Sequence, residues 1–229
     1  MKPRLLDLFC GPGGCGEGFA QAGFDITGVD IKAQPHYPFK FIQADALTFP
    51  LDGFDVIHAS PPCQGYSRSL GIARIHGIKE HPLLIGTIRK RLEDSGKPWI
   101  IENVAFSDLP DALELCGSMF SLPIRRHRWF SSSILLFAPG PCHHTPGFYN
   151  PIGGKIRGYG TLASDKTYQD AKGATRKREG YYKLSVGHTA MGIDWMSLDE
   201  ISQAIPPAYT RWIGEQLMDY LKMESGVVA

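Results

Sequence analysis

A cysteine set behind two prolines, in Ser60-Pro61-Pro62-Cys63-Gln64-Gly65-Tyr66-Ser67, is the first place where residue type and spacing suggest chemistry. Proline restricts its own backbone and that of the residue before it, so the pair fixes how the Cys63 thiol is presented. A structural cysteine sits more naturally inside a strand or helix, as Cys116 is expected to. A rigidly held thiol on a loop reads as a nucleophile, and nearby positive charge should raise its thiolate fraction. The second candidate is Glu102-Asn103-Val104, where a carboxylate follows Ile100-Ile101. Partial desolvation there raises a carboxyl pKa and keeps a proton available. A strand-capping acid is the plainer reading of Glu102, and it is Cys63 that turns the reading toward catalysis.

A third group suits a nucleoside. Gly11-Pro12-Gly13-Gly14 follows an apolar run and precedes a helical pattern, so backbone can come close to a ligand at a helix N-terminus. Asp30 stands nineteen residues after Gly11, where an acid can take both hydroxyls of a ribose. Asp45 falls beside the same crevice and can accept from an adenine amino group. The glycine pattern is not G-x-G-x-x-G, although Gly16 and Gly18 lie nearby, so pyrophosphate is disfavoured against a smaller adenosine ligand. Together these residues predict S-adenosylmethionine as cofactor.

The elements that position these groups alternate short apolar runs with helical spacing, the pattern of a mostly parallel sheet covered by helices. Strands are predicted over 5–9, 25–30, 39–44, 54–59 and 99–102, with helices starting at Glu17 and over 83–93. Right-handed crossovers make this a doubly wound α/β fold. Residues 129–137 read as a hairpin strand, whereas 138–182 is rich in Gly, Pro, Lys and Tyr without a period and reads as a small irregular insert. Periodicity returns at Leu198, and 208–221 is amphipathic, with Trp212, Ile213, Leu217 and Leu221 on one face.

The 229 residues suit one domain or one domain with an insert, and 43% hydrophobic with 21% charged residues excludes wholesale disorder. Apolar runs are too short to cross a bilayer, and no signal-type segment follows Met1, so a cytoplasmic protein with no membrane partner is expected. Five cysteines without framework spacing read as free thiols. The net charge of +1 hides two basic stretches: eight Lys or Arg against three acids over 151–185, and six against one over 65–91. If both face one cleft, a phosphate backbone can lie there. Cys142, His143, His144 and His188 lack the spaced pairs of a zinc site, so no metal is expected.

Taken in order, Asp7-Leu8-Phe9-Cys10-Gly11-Pro12-Gly13-Gly14, Asp30, Asp45, Pro61-Pro62-Cys63-Gln64-Gly65-Tyr66-Ser67, Glu102-Asn103-Val104, Arg126-His127-Arg128 and Gln203-Ala204-Ile205-Pro206-Pro207-Ala208 resemble the DNA cytosine-C5 methyltransferase family, in a compact form of bacterial or phage type. The resemblance implies a Rossmann-like, S-adenosylmethionine-dependent methyltransferase domain over 1–130 plus 187–229, with a target-recognition region over 131–186. It implies Cys63 as the nucleophile that adds to C6 of a flipped cytosine and Glu102 as the acid at N3, with Arg126 and Arg128 holding the pyrimidine and the thiol loop. It maps Phe9, Gly11, Pro12, Gly13, Gly14, Asp30, Ile31, Asp45, Ala46, Pro62, Gln203 and Ala204 onto cofactor positions. Gln64, Ser67, Arg68 and Asn103 map onto substrate positions, with 64–80 as a closing loop.

The sequence departs from that pattern in three places. Ile124 stands two residues before the first arginine, where the family has glutamine; Ser202-Gln203-Ala204 replaces Gly-Asn and a small residue; and Ile31 replaces an aromatic that often stacks on adenine. The implied partner is double-stranded DNA, as in restriction-modification or phage DNA methylation, with a monomer or weak homodimer in a bacterial cytoplasm or, if phage-encoded, the host's. The same chemistry on tRNA cytosine, or a catalytically idle nucleic-acid-binding homologue, are the alternatives. A recognition region of about fifty residues implies a short or degenerate site.

Overall fold

The computed structural model describes residues 1–66, 82–144, 163–169, 175–179 and 184–226. Nine strands fall among them: β1 (Arg4–Leu8), β2 (Asp25–Asp30), β3 (Lys40–Gln43), β4 (Val56–Ala59), β5 (Trp99–Val104), β6 (Leu113–Leu115), β7 (Arg128–Ser132), β8 (Ala163–Gln169) and β9 (Thr175–Glu179). The helices are α1 (Gly14–Gln21), α2 (Ile85–Asp94), α3 (Leu184–Met191), α4 (Leu198–Gln203) and α5 (Pro207–Glu224), with a 3₁₀ turn at Gly117–Phe120.

Seven strands form one sheet in the order β3-β2-β1-β4-β5-β7-β6. The first five in that order pair in parallel. β7 runs antiparallel to both β5 and β6. Their apolar runs are the reason: Leu5, Leu6 and Leu8 of β1 and Ile100 and Ile101 of β5 are fully buried, which only a sheet covered on both faces provides. The chain winds outward from β1 through β2 to β3, then returns to the other side of β1 for β4 and β5. The switch therefore lies between β1 and β4, and ligands of open α/β sheets bind beyond the carboxyl ends of such a pair.

One core face packs under α1 and α5, around Phe19, Ile100, Phe130, Tyr209, Ile213 and Leu217. The other packs under α2, around Leu6, Leu8, Ile57, Ile88, Leu92 and Ile101. α1 meets α5 closely because of two glycines. A Cβ at Gly18 would lie 2.1 Å from both the Pro207 carbonyl oxygen and Thr210 Oγ1, and one at Gly214 would lie 2.6 Å from Ala22 Cβ. Thr210 Oγ1 donates to the Cys15 carbonyl at 2.9 Å across that contact. Gly18 thus serves helix packing and is not part of a phosphate loop.

Several predicted boundaries shift. α1 begins at Gly14, three residues before the expected Glu17, and Gly14 lies so close to the Ile205 carbonyl oxygen that a Cβ would sit 2.5 Å from it. The strand expected over 129–137 ends at Ser132, paired with Ile100, and Ser133 follows with its amide donating to the Trp99 carbonyl at 3.1 Å. β6, which was not anticipated, is only three residues long. The stretch 138–182, read as lacking any period, contains the antiparallel pair β8–β9 with a register shift between Ala163 and Thr167. An irregular register hides the alternation that a sequence reading depends on. α3 was likewise not anticipated.

Candidate active site

β1 delivers the chain into a turn in which Phe9, Gly11 and Gly13 all take positive φ, at 55°, 49° and 94°. At Gly13 the space as well as the φ demands glycine, since a Cβ would lie 2.8 Å from Pro38 Cδ. A Cβ at Gly11 would meet nothing within 4 Å, so open space adjoins that backbone. Phe9 holds the same unfavourable region without being glycine, a strain typical of ligand-facing turns. Asp30 closes β2 beside the turn, accepting from the Gly11 amide at 3.1 Å on one oxygen and from the Lys32 amide at 2.9 Å on the other. Each carboxylate oxygen keeps a lone pair for a further donor, so the acid is oriented by the turn and still able to bind diol hydroxyls.

The neighbouring expected cofactor residues fall as follows. Ile31 is 65% exposed beside Asp30, an apolar surface against the same space. Asp45 accepts from the Leu47 amide at 2.9 Å, which fixes its carboxylate after β3. The Ala46 methyl is buried in the α2 core, and its carbonyl accepts from Arg91 Nη1 at 2.9 Å. Pro12 is held through its carbonyl by Trp195 Nε1 at 3.0 Å, a contact from the far end of the chain. Ala204 lies against Gly14, while Gln203 is exposed. Pro62 is half-buried in the thiol loop.

On the other side of the crevice, β4 leads into Ser60-Pro61-Pro62-Cys63, and Asn103 of β5 fixes that loop by donating from Nδ2 to the Pro61 carbonyl at 2.8 Å. Asn103 is fully buried and also accepts from the Val104 amide, so it positions the loop. Tyr66 Oη accepts from the Ile85 amide at 3.0 Å and ties the loop to the start of α2. Gln64 is exposed, and Ser67, Arg68 and the rest of the expected closing loop lie outside the described residues.

Cys63, Glu102, Arg126 and Arg128 act on one another electrostatically. Glu102 Oε1 lies 3.1 Å from Arg128 Nε with both side chains nearly enclosed. Burial nevertheless raises the Glu102 carboxyl above its ordinary range, outweighing Arg128, His58, Arg126 and a Ser60 hydrogen bond. Burial also raises the Cys63 thiol, Glu102 adds to this, and the two arginines only partly offset them. The expectation that positive charge enriches the thiolate is therefore corrected: desolvation outweighs the guanidinium groups. Burial, and next the like charge of Arg128, pull Arg126 down to about 9, with Glu102 opposing, so it is still a cation at neutral pH. None of the three Arg126 guanidinium nitrogens has a hydrogen-bond partner among the described residues. Its backbone is anchored by Tyr209 Oη of α5, which donates to the Arg126 carbonyl at 2.6 Å.

Sequence reasoning missed the polar chain beneath this site. Asp7 and His58, both fully buried, meet at 2.8 Å between Oδ1 and Nδ1. Tyr37 Oη donates to the other Asp7 oxygen at 3.0 Å, and the Ser60 hydroxyl lies 3.4 Å from His58 Nε2. The available signal was an acid and an imidazole set inside the apolar runs Leu5–Leu8 and Val56–Ala59, where a polar group persists only if paired. Ile124 is explained too. It is buried with Ala190, Met191, Ile193 and Ile201, so the position that carries glutamine in the family pattern is an apolar packing site here.

Residues 3–107 match the family of C-5 cytosine-specific DNA methylases. The type II methyltransferase M.AgeI of Thalassovita gelatinovora is 32% identical over 83 residues, which are 28% of this chain and 19% of that protein. The type II methyltransferase M1.HphI of Haemophilus parahaemolyticus is 32% identical over 92 residues, 32% of this chain and 24% of its own. The matched stretch thus spans about a fifth to a quarter of either relative.

Among solved structures, one described as a DNA modification methyltransferase encoded within an E. coli prophage superposes with a TM-score of 0.60 at 16% identity, covering 96% of this chain and 100% of that one. The S. pombe Dnmt2 methyltransferase gives 0.57 at 14% identity, covering 96% and 99%. The Entamoeba histolytica methyltransferase EhMeth gives 0.57 at 13%, covering 98% and 99%. These likenesses establish the Rossmann-like α/β fold.

Proposed function

We propose that this chain, whose residues 3–107 match the C-5 cytosine-specific DNA methylase family, methylates C5 of cytosine in double-stranded DNA with S-adenosylmethionine as donor. The observation that carries the reading is the enclosed group of Cys63, Glu102, Arg126 and Arg128. It joins a thiol, a carboxyl whose protonated form burial favours, and a guanidinium with none of its nitrogens hydrogen-bonded among the described residues.

The residues around the first turn fit the cofactor. Gly11 offers open backbone, Asp30 is oriented for a diol, and exposed Ile31 offers an apolar face in place of the aromatic. Phe9, Gly11, Pro12, Gly13, Gly14, Asp30, Ile31, Asp45, the Ala46 backbone, Pro62, Gln203 and Ala204 would hold it, and when bound it supplies an electrophilic sulfonium methyl.

C5 of cytosine is a weak nucleophile, and Cys63 corrects this by adding as thiolate to C6. As the C6–S bond forms, charge moves toward N3, and protonated Glu102 gives its proton there, leaving an enamine whose C5 takes the methyl group. Removal of the C5 proton by water or hydroxide then expels the Cys63 thiolate, and the N3 proton returns to Glu102. Arg128, beside Glu102, and the unpartnered Arg126 would hold the pyrimidine O2 and the loop around the thiol. C6 is inaccessible in a stacked duplex, so the base must be flipped into the enclosure. Burial disfavours the Cys63 thiolate and favours protonated Glu102. Thiolate with protonated Glu102 carries the same number of protons as thiol with ionised Glu102, so pH does not alter the ratio of these two forms.

The domain reading follows: residues 1–130 with 187–229 form the catalytic part, and 131–186 read the target. Incubation with methyl-labelled cofactor and separate pools of duplex DNA and tRNA tests it. Label in DNA is expected; label in tRNA alone would assign RNA as the substrate, and label in neither would leave a binding protein. A duplex containing 5-fluorocytosine should trap the wild-type protein covalently, because fluorine at C5 cannot leave as a proton.

A further inference from the structure

Two cysteines and two histidines, none of them assigned to the catalytic group, converge. Cys116 caps the 3₁₀ turn, His127 lies between the two arginines just ahead of β7, and Cys142 and His144 follow β7 by ten and twelve residues. One ligand atom from each lies within 4.8 Å of all the others. Cys116 Sγ is 3.3 Å from His144 Nε2, and Cys142 Sγ is 3.4 Å from His127 Nε2 and 2.7 Å from His144 Nε2. A tetrahedral zinc with bonds of about 2.3 Å to sulfur and 2.0–2.1 Å to nitrogen separates its ligand atoms by roughly 3.3–3.8 Å. The observed set needs shifts of about an ångström or less to enclose such an ion. Both cysteines are free thiols.

We propose that Cys116, His127, Cys142 and His144 form a structural zinc site. Two sulfurs and two imidazole nitrogens, with no oxygen among the four, select zinc over magnesium or calcium. Four protein ligands fill a tetrahedron and leave no open position, so the ion is structural and takes no part in the reaction. Each cysteine ligates as thiolate, so binding of the ion releases the thiol protons to solvent. Ser118 supports the site: its Oγ lies 3.3 Å from Cys142 Sγ and accepts from the His143 amide at 3.1 Å. In sequence, Cys142, His143, His144 and His188 show no spaced pairs. Cys142-x-His144 is one close pair, and the other two ligands come from 26 and 15 residues upstream, brought together by the β6–β7 pairing.

The ion would staple the 142–144 segment to the strand that carries the arginines. It would thereby fix His127, whose carbonyl accepts from Arg128 Nη1 at 2.8 Å, and the point from which the chain departs for residues 145–183. Zinc binding here is independent of the polymer methylated and of whether methyl transfer occurs.

The test is metal analysis of the purified full chain after dialysis, with Co²⁺ titration of the chelator-stripped protein. About one zinc per chain is expected, with the visible d–d bands and thiolate charge-transfer band of tetrahedral Co²⁺ bound through sulfur. Cys142→Ser and His144→Ala should each lower zinc occupancy at least tenfold against a competing chelator, whereas His143→Ala, next door but outside the cluster, should retain it. A folded wild type that holds no zinc and gives no tetrahedral Co²⁺ spectrum would overturn the site. So would full zinc retention in a Cys116→Ser/Cys142→Ser double variant. If the variants fail to fold, the wild-type cobalt titration with thiol counting decides alone: the two thiols must become unreactive on metal addition.

Discussion

Replacing Glu102 with glutamine should move activity and stability in opposite directions. The 3.1 Å contact with Arg128 is worth about 5 kcal/mol of attraction at an effective dielectric near 20. Ionised Glu102 and Arg128, with Arg126 behind them, each lose several kcal/mol of hydration in the enclosure. The raised carboxyl pKa shows that desolvation outweighs the attraction. A carboxyl raised by folding contributes stability that is full below its unfolded pKa and is lost as pH rises through its folded one. Wild type should therefore lose stability across that window, and Glu102→Gln, neutral throughout, should not. Chemical denaturation at pH 5 and pH 8 measures this: the variant should equal or exceed wild type at pH 8, and its advantage should shrink at pH 5. Its turnover should fall about 10²–10⁴-fold, because an amide can hydrogen-bond to N3 but cannot give it a proton. A pH-independent loss of 3–5 kcal/mol, the usual result of breaking a net-stabilising buried pair, would refute the argument.

Four further outcomes follow from the geometry. Wild-type kcat/KM should show a bell-shaped pH profile, its acid limb set by Glu102 and its alkaline limb by Cys63, both displaced upward; Cys63→Ser should remain folded by circular dichroism yet form no trapped complex with 5-fluorocytosine DNA. Gly18→Ala should cost about 1–3 kcal/mol or more in urea unfolding, since its methyl would lie 2.1 Å from the Pro207 carbonyl oxygen; an unchanged midpoint would show that α1 and α5 separate freely. Ile124→Gln, although it introduces the family's residue, should lower stability by about 1–3 kcal/mol through an unpaired buried amide, read as a lower Tm.

The parallel part of the sheet was legible because its strands are buried on both faces and read as apolar runs; β1, β2 and β4 appear within a residue or two of where those runs lie. Cys63 and Glu102 were legible for a related reason, each being a reactive group displaced from the pattern around it. The ionisation of Cys63 was not, because it depends on whether burial or two arginines wins, and a sequence lists charges without their depth. The loop-positioning role of Asn103 was hidden in the same way. Its neighbours mark a site, but only the 2.8 Å contact with Pro61 reveals that it serves the loop. The roles of Trp195 and Tyr209, which secure Pro12 and the Arg126 backbone, depend on contacts across 183 and 83 residues and leave no local trace.

The meeting of α1 with α5 also sets a timetable. The Thr210–Cys15 hydrogen bond joins residues 195 positions apart, and α5 supplies one whole side of the core that covers β1 and β5. At a synthesis rate of about 5–20 residues per second, Cys15 waits roughly 10–40 s for Thr210 to be made. During that interval the nucleophile loop and the glycine turn already exist as sequence, but the arginine strand lacks its Tyr209 anchor and α1 lacks its cover. The nascent chain is then a set of sticky half-covered strands, so chaperone demand during synthesis should concentrate on α1 and the β1–β5 face, and be relieved only when the last helix emerges.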